Sequence, residues 1–213
     1  MQLHSRVQKE ARDLMFSSYA PLISLYETVG DSMIVLSWSG ALGSYDGGQQ
    51  PRTMYLTLFA ADLYFCVKHV ADVRLSASFG SAVCSMIDGQ VRLFGLPVTT
   101  ACRLQGFLSP LQSTDDFGTL NVCGDYYKKL QSDVESLPFA SHNDWRDVLG
   151  CRPEHTRLKG LGDSILCHKI SLSEVSRMTL KCDPGVDTPI NPCLNDTIPS
   201  FYFRSKTTHS GET

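Results

Sequence analysis

Residues 26–37 read Tyr26-Glu-Thr-Val-Gly-Asp-Ser-Met-Ile-Val-Leu-Ser37, two apolar runs joined at Gly30-Asp31. Glycine and aspartate are common turn formers, so this stretch predicts a hairpin of two β-strands. A carboxylate at such a bend is held between two apolar strands and is well placed to bind a metal ion. Asp31 is therefore either an ordinary turn residue or a metal ligand, and the surrounding chain is needed to decide between the two.

Segments with helical or strand periodicity surround this hairpin. Residues 5–19 repeat apolar side chains at the spacing of one helix face, and a second apolar stripe begins after Pro51. Shorter alternating runs predict strands, and Asp88-Gly89 predicts a tight turn between two of them. Strands that alternate with amphipathic helices predict the α/β class, in which helices pack against a sheet. The predicted order after the first hairpin is helix 51–70, strand 72–78, hairpin 83–94 and helix 97–108.

The second half of the chain predicts three more elements and a tail. The elements are strand 120–123, helix 125–134 and hairpin 156–170. The last hairpin bends at Lys159-Gly-Leu-Gly-Asp163, and after Ser171 the periodicity ends and prolines become frequent. We therefore expect a folded domain over residues 1–171 and a C-terminal tail, partly disordered, over residues 172–213.

The composition is that of one soluble globular domain. The 213 residues carry a formal net charge of -3, with 42% hydrophobic and 19% charged side chains. A chain of this length can bury one substantial core. Because a negative balance provides no general attraction for polyanions, we expect no nucleic-acid partner.

Apolar runs and cysteines indicate the compartment. No stretch reaches the roughly 18 apolar residues that a transmembrane helix needs, so the sequence predicts no membrane span. Eight cysteines are scattered without the short spacing that zinc ligands favour. This pattern indicates reduced thiols in the core rather than a disulfide framework. We expect a cytoplasmic chain, either free or as the cytosolic part of a larger membrane-linked protein.

Four segments spread over residues 5–170 are similar in sequence to known short motifs. They are Glu27-Thr-Val-Gly-Asp-Ser-Met-Ile-Val35, Val73-Arg-Leu-Ser-Ala-Ser-Phe-Gly-Ser-Ala-Val83, Arg92-Leu-Phe-Gly-Leu-Pro-Val-Thr-Thr-Ala-Cys-Arg-Leu104 and Arg157-Leu-Lys-Gly-Leu-Gly-Asp163. In turn they resemble "ETIGDAYMV", "VRIGIHTGPVV", "xxFGDTVNxASRM" and "xVKGKGD". All four motifs belong, in this order, to the class III nucleotidyl cyclases, the adenylyl and guanylyl cyclases. The chain is thus similar to the catalytic domain of this family over most of its length.

The resemblance implies a fold, a partner and a reaction. The fold is a ferredoxin-like βαββαβ palm of the class III cyclase type, lacking its first strand, so that residues 1–171 form a partial cyclase-homology domain. Two such domains form a head-to-tail homodimer, or a heterodimer with another cyclase domain, with nucleotide sites across the interface. The ribose 3'-hydroxyl of a purine nucleoside triphosphate attacks the α-phosphate and pyrophosphate leaves. Two ions of Mg²⁺ or Mn²⁺ stabilise the developing charge.

Four residues take their expected roles from the positions they match in these motifs. Asp31 matches the second metal-binding aspartate, and Arg103 matches the transition-state arginine. Lys159 matches the phosphate-binding lysine, and Glu27 matches the residue that reads the purine. A carboxylate at this last position can accept hydrogen bonds from the N1–H and the exocyclic amine of guanine, so the resemblance favours GTP over ATP.

Other positions depart from the family pattern. Arg92 stands where the family has a second base-reading residue, a cysteine or an aspartate, and it can pair with Glu27 and occupy the base site. Thr99 stands where the family has an asparagine that contacts the ribose. The family's first metal-binding aspartate lies on a strand before the first helix, and this sequence begins after that point. Because hard divalent cations want several charged oxygens, we expect weak metal binding and impaired activity.

Two functions therefore stay open. One is a nucleotide cyclase-like domain that converts GTP, or ATP, to the 3',5'-cyclic nucleotide and pyrophosphate with impaired activity. The alternative is a catalytically degenerate cyclase-homology domain that acts as a dimerisation or regulatory partner of an intact cyclase. An RNA-binding module on a ferredoxin-like sheet is disfavoured, since the sequence lacks the aromatic and basic pattern that such modules use.

Overall fold

The computed structural model describes residues 2–19, 22–29, 32–37, 51–88, 90–107, 118–136, 145–158, 160–162 and 164–181. Within these ranges the chain is a mixed α/β structure, which confirms the predicted class. The helices are α1 (Gln2–Leu14), α2 (Arg52–Val67), α3 (Leu96–Phe107), α4 (Gly124–Glu135) and α5 (Leu172–Lys181). The strands are β1 (Ser24–Val29), β2 (Ser32–Leu36), β3 (Leu75–Ala77), β4 (Val83–Ile87), β5 (Gln90–Phe94), β6 (Thr119–Cys123), β7 (Glu154–Arg157) and β8 (Ser164–Ser171).

The described strands form one four-stranded sheet and two separate hairpins. The sheet has the order β3-β6-β8-β7, in which β3 runs parallel to β6 and the other neighbours are antiparallel. Strand β1 pairs with β2 to form the first hairpin. Strand β4 pairs with β5 to form the second, which we call the β4–β5 ribbon. Each hairpin is thus a two-stranded unit beside the main sheet.

The hairpins occur where turn-forming residues predict them. Strands β1 and β2 are paired as far as Val29 and Ser32, and the two residues between them lie outside the described residues. The ribbon turns at Asp88, whose φ of 51° is the left-handed conformation that aspartate tolerates in tight turns. The predicted strand 72–78 is shorter in the structure, because only three of its residues pair with β6.

Helix α2 is the centre of the helical layer. Ten of its sixteen residues are buried, so it is covered on most of its sides rather than along one stripe. It packs against α1, α4 and α5. Although α2 is the most apolar of the helices, neither it nor any other helix in the described ranges is long and apolar enough to cross a bilayer.

The last described helix lies at the start of the segment predicted as the tail. The sequence pattern places a tail from residue 172, but the first ten residues of that segment form α5. Leu172 and Val175 are fully buried, and the Leu172 N–H donates to the Gly118 carbonyl at 2.9 Å. These residues belong to the folded domain. The rest of the predicted tail, residues 182–213, lies outside the described part of the chain.

A buried carboxylate closes the N-terminal end of α2. The Asp133 carboxylate on α4 accepts hydrogen bonds from the Thr53 N–H at 2.9 Å and from the Thr53 hydroxyl at 2.5 Å. The Lys129 ammonium, one turn earlier on α4, donates to the same carboxylate at 2.6 Å. The first N–H groups of a helix have no partner within the helix, so a buried helix start needs an acceptor from elsewhere. Asp133 supplies it from 80 residues away.

We expect Asp133→Ala to lower the free energy of unfolding by about 2 to 4 kcal/mol, because it leaves a buried N–H without an acceptor and the Lys129 ammonium without its carboxylate. Urea denaturation followed by circular dichroism measures the change. Glu135→Ala is the matched control, since this exposed carboxylate lies on the same helix. Equal losses for the two variants would contradict the role given to Asp133.

Candidate functional site

Two residues that the cyclase resemblance assigns to purine reading are in direct contact. The Arg92 guanidinium on β5 donates to the Glu27 carboxylate on β1, with 3.2 Å between Nη1 and Oε1. The two residues are 65 positions apart in the chain. Their side chains remain 42% and 37% exposed. An ion pair of this exposure contributes about 0.2 to 1 kcal/mol, so a ligand can displace it at a small cost.

The local backbone of the two hairpins orients the side chains of Glu27 and Arg92. The pairing of β1 with β2 shifts register between Leu25 and Glu27. Such a bulge re-aims the side chains that follow it, which is how strands commonly direct a functional residue. Arg92 lies at the middle of the ribbon opposite Ser85, and its neighbour Leu93 is buried. The ion pair therefore joins the first hairpin to the ribbon.

Thr99 and Arg103 lie one helical turn apart on α3, and both are exposed. This spacing places them on the same side of the helix. The Thr99 hydroxyl donates to the Gly95 carbonyl at 3.4 Å, and the Thr99 N–H donates to the same oxygen at 3.3 Å. Thr99 thus uses its hydroxyl within the first turn of its own helix. Arg103 extends from the next turn into solvent.

Glycine is required where the ribbon turns into α3. Gly95 has a φ of 153°, and a Cβ there would lie 3.0 Å from the Ser81 carbonyl oxygen. On the facing segment, a Cβ at Gly80 would lie 2.8 Å from the ring of Pro97. The Ser78 hydroxyl also donates to the Pro97 carbonyl. These close approaches hold the start of α3 against the residues that lead into β4, which sets the position of Thr99.

The two remaining predicted site residues, Asp31 and Lys159, lie outside the described residues. The strands around Asp31 are described up to Val29 and from Ser32, and these two residues are paired. Before Lys159 the chain is anchored by buried Leu158. The predictions for a metal ligand and a phosphate-binding lysine therefore stay predictions.

The described residues do not form a metal centre. Within them, no three His, Cys, Asp or Glu side chains come together as a group that could hold a metal ion. Mg²⁺ and Mn²⁺ need several oxygen ligands, and the Glu27 carboxylate is already paired with Arg92. The donor set of the described part of the chain does not fit the two ions that the cyclase resemblance implies, so no catalytic step is assigned to them.

A second group of titratable residues is formed by Tyr127, Cys151 and His168, to which the sequence pattern assigns no role. The rings of Tyr127 and His168 are stacked with centroids 3.7 Å apart, and the Cys151 sulfur lies 3.8 Å from His168 Nδ1. Burial raises the pKa of the Cys151 thiol and lowers the pKa of His168. Both shifts favour a neutral thiol beside a neutral imidazole. Reactive cysteines have the opposite character, so we interpret this group as part of the core.

No protein-family model matches the chain, and no curated protein matches it significantly. The likeness to class III cyclases therefore depends on the four short segments quoted above. Those segments assign Glu27 and Arg92 to one purine-reading site without using any coordinates. The contact between the two side chains is an independent observation on the same residues.

The neutral imidazole of His168 predicts a pH dependence of stability. Because burial lowers its pKa below the ordinary value of 6.5, the unfolded chain takes up the proton at higher pH than the folded chain. The contribution of His168 to stability is complete above pH 6.5 and is lost as the pH falls from there through the folded-state pKa. We expect His168→Phe, which keeps a ring against Tyr127, to make the decline in the free energy of unfolding between about pH 7 and pH 5 shallower.

Urea denaturation at several pH values measures this slope. His155→Phe on β7 is the control, because this histidine is exposed and pairs with Leu166, two residues before His168 on β8. A slope that is the same in wild type and His168→Phe would contradict the assignment.

Proposed function

We propose that the chain is a class III nucleotidyl cyclase-like domain with a purine nucleotide site at Glu27, Arg92, Thr99 and Arg103. The observation that carries the proposal is the contact between Glu27 and Arg92, with 3.2 Å between their charged groups. The four motifs assign both residues to purine reading, although they lie on different hairpins. A chance resemblance would give no reason for the two side chains to meet.

The geometry at Glu27 favours guanine as the base. A carboxylate offers two acceptor oxygens, which match the N1–H and exocyclic amine of guanine, whereas adenine presents an acceptor at N1. To bind guanine, Glu27 must release Arg92. Since the ion pair is nearly half exposed, that release lowers affinity by a factor of about five at most. The released guanidinium then lies beside the nucleotide.

The element order also supports the cyclase interpretation. The first hairpin, α2 and β3 follow one another as the ββαβ part of a βαββαβ palm. Among the described residues these strands are not joined in one sheet, since β2 pairs only with β1 and β3 pairs only with β6. The finer fold assignment, a ferredoxin-like palm, belongs to this proposal.

We place the activity of this chain below that of a complete cyclase. Arg92 competes with the base for Glu27. Thr99 has no side-chain amide for the ribose, and its hydroxyl donates to the Gly95 carbonyl. The described residues also lack a group of metal ligands. The same observations favour the second candidate function, a cyclase-homology domain that binds an intact cyclase as a dimerisation or regulatory partner. The GTP site and the partner role are compatible in one molecule.

We expect the chain to bind GTP more tightly than ATP in the presence of Mn²⁺, as measured by isothermal titration calorimetry. Glu27→Lys should weaken GTP binding about tenfold or more and abolish the preference, because two charge-assisted hydrogen bonds are lost. Arg92→Met should raise GTP affinity about two- to fivefold, because it frees the carboxylate. Glu154→Lys is the control, since it reverses a charge in the exposed pair with Lys169. Equal binding of GTP and ATP by the wild type would contradict the base assignment.

A second experiment separates the two candidate functions. We expect the purified chain with GTP and Mn²⁺ to form cyclic GMP slowly, and Arg103→Ala to reduce product to background because the transition state loses its cation. Arg146→Ala replaces an exposed arginine elsewhere and should leave the rate unchanged. Product is quantified by mass spectrometry. An inactive chain that binds an intact cyclase domain and changes its turnover supports the partner role, and a chain with neither property contradicts both.

A further inference from the structure

Two buried cysteines face each other across the four-stranded sheet. Cys123 ends β6 and Cys167 lies within β8, and the register of these antiparallel strands places the two residues directly opposite each other. Their exposed fractions are 8% and 9%, and both are free thiols. Among the described residues, no other two cysteines are opposed in a strand ladder. The proposed nucleotide site uses neither thiol.

The hydrogen-bond pattern of the ladder shows that the two cysteines form a close pair. The Leu172 N–H donates to the Gly118 carbonyl at 2.9 Å, one step beyond the end of the β6–β8 ladder. Hydrogen-bonded and non-hydrogen-bonded pairs alternate along such a ladder, so Cys123 and Cys167 form a non-hydrogen-bonded pair. In pairs of this type the Cα atoms are about 4.5 Å apart, and a disulfide needs about 4.4 to 6.8 Å. The backbone can therefore hold a disulfide here without a shift of register.

The next position along the ladder also brings the two strands close together. Gly124 follows Cys123, and a Cβ there would lie 3.3 Å from the Leu166 Cβ, which is tighter than most such contacts in proteins. Glycine thus permits a close approach beside the cysteines. The Cys167 thiol donates to the Ile165 carbonyl over 3.9 Å. Because a thiol is a weak donor, little is lost when this sulfur changes its partner.

We propose that hydrogen peroxide oxidises Cys123 and Cys167 to an intramolecular disulfide that locks β6 to β8. The thiolate of one cysteine attacks a peroxide oxygen, the O–O bond breaks, and the sulfur becomes a sulfenic acid while the released hydroxide takes up a proton. The thiolate of the other cysteine attacks this sulfur, and a second hydroxide leaves as water. Two thiols and one peroxide thus give one disulfide and two water molecules.

Burial determines which oxidant reaches the pair and how fast it reacts. Hydrogen peroxide is small and uncharged, whereas a bulky disulfide cannot reach sulfur atoms that are nine-tenths buried. Burial, together with the nearby Cys123 and Glu154, raises the pKa of Cys167 to about 11. In either order of attack the Cys167 thiolate takes part once, so the reaction is slow at neutral pH. The disulfide therefore accumulates under sustained oxidation.

The disulfide changes the stability of the domain and leaves the nucleotide site untouched. It closes a loop from Cys123 to Cys167 that contains α4 and β7, and such a loop restricts the unfolded chain. Helix α4 carries Asp133, which caps α2, so the restricted segment includes a part of the core. This inference does not depend on the proposed function. Binding of GTP tests the nucleotide site, whereas a covalent bond between two peptides tests the disulfide.

Peptide mapping of the wild-type chain tests the pairing directly. Trypsin releases the two cysteines on separate peptides, residues 104–128 and 160–169, each with a single cysteine. After peroxide treatment and alkylation of the remaining thiols in denaturant, we expect mass spectrometry to find these peptides joined about ten times more often than any other cysteine peptides, because only opposed residues lie within disulfide reach. Dithiothreitol should separate them. Two alkylated thiols, or two sulfonic acids, while exposed Cys66 and Cys102 are oxidised would overturn the proposal.

Urea denaturation tests the effect of the disulfide on the fold. We expect the peroxide-treated protein to unfold at a urea concentration about 1 to 2 M higher than the same sample after dithiothreitol. This comparison leaves out methionine oxidation, which dithiothreitol does not reverse. Cys167→Ala should lose the shift, whereas the matched control Cys151→Ala, which removes a half-buried thiol outside the ladder, should keep it.

The two samples of the wild type give the same comparison if Cys167→Ala does not fold. A disulfide that leaves the urea midpoint unchanged, or a shift that persists in a folded Cys167→Ala, contradicts the locking of β6 to β8.

Discussion

The described core depends on the Asp133 carboxylate at the N-terminal end of α2. Helix α2 is covered by α1, α4 and α5, so its first N–H groups cannot be left to water. The carboxylate from α4 satisfies Thr53, and the Tyr126 hydroxyl donates to the Thr53 carbonyl at 2.9 Å beside the Thr57 hydroxyl. Burial raises the pKa of Tyr126, which keeps that hydroxyl protonated. The start of α2 and the helix α4 that packs against it thus form one structural unit.

The candidate site lies on elements that this unit holds only indirectly. The first hairpin and the ribbon are outside the four-stranded sheet, and the ion pair between Glu27 and Arg92 links them. An exposed pair of this kind is weak, so the two side chains can separate at a small cost in free energy. That suits a site in which a ligand replaces one partner of the pair. It also means that Glu27 and Arg92 contribute little to the stability of the fold.

Local sequence signals were sufficient for most elements but not for their limits or partners. Pro51 and Pro97 mark the starts of α2 and α3, and Asp88 marks the turn of the ribbon. The sequence did not predict helix α5, because the frequent prolines further along led to the interpretation of the whole segment as a tail. Leu172 and Val175 nevertheless have helical spacing. The length of β3 was also predicted wrongly. The alternation of apolar and polar side chains extends beyond the three residues that pair with β6.

The sequence by itself determined the α/β class and the two hairpins, because turns and periodicity depend on neighbours in the chain. The residues of the candidate site were predicted from their match to the cyclase motifs. Only the tertiary structure decided that Arg92 meets Glu27, that β3 runs beside β6, and that Asp133 caps α2. These partners are tens of residues apart, and many other pairings satisfy the same local patterns. The packing of the whole core selects among them, so the Glu27–Arg92 contact could be suspected from the sequence but only be seen in the fold.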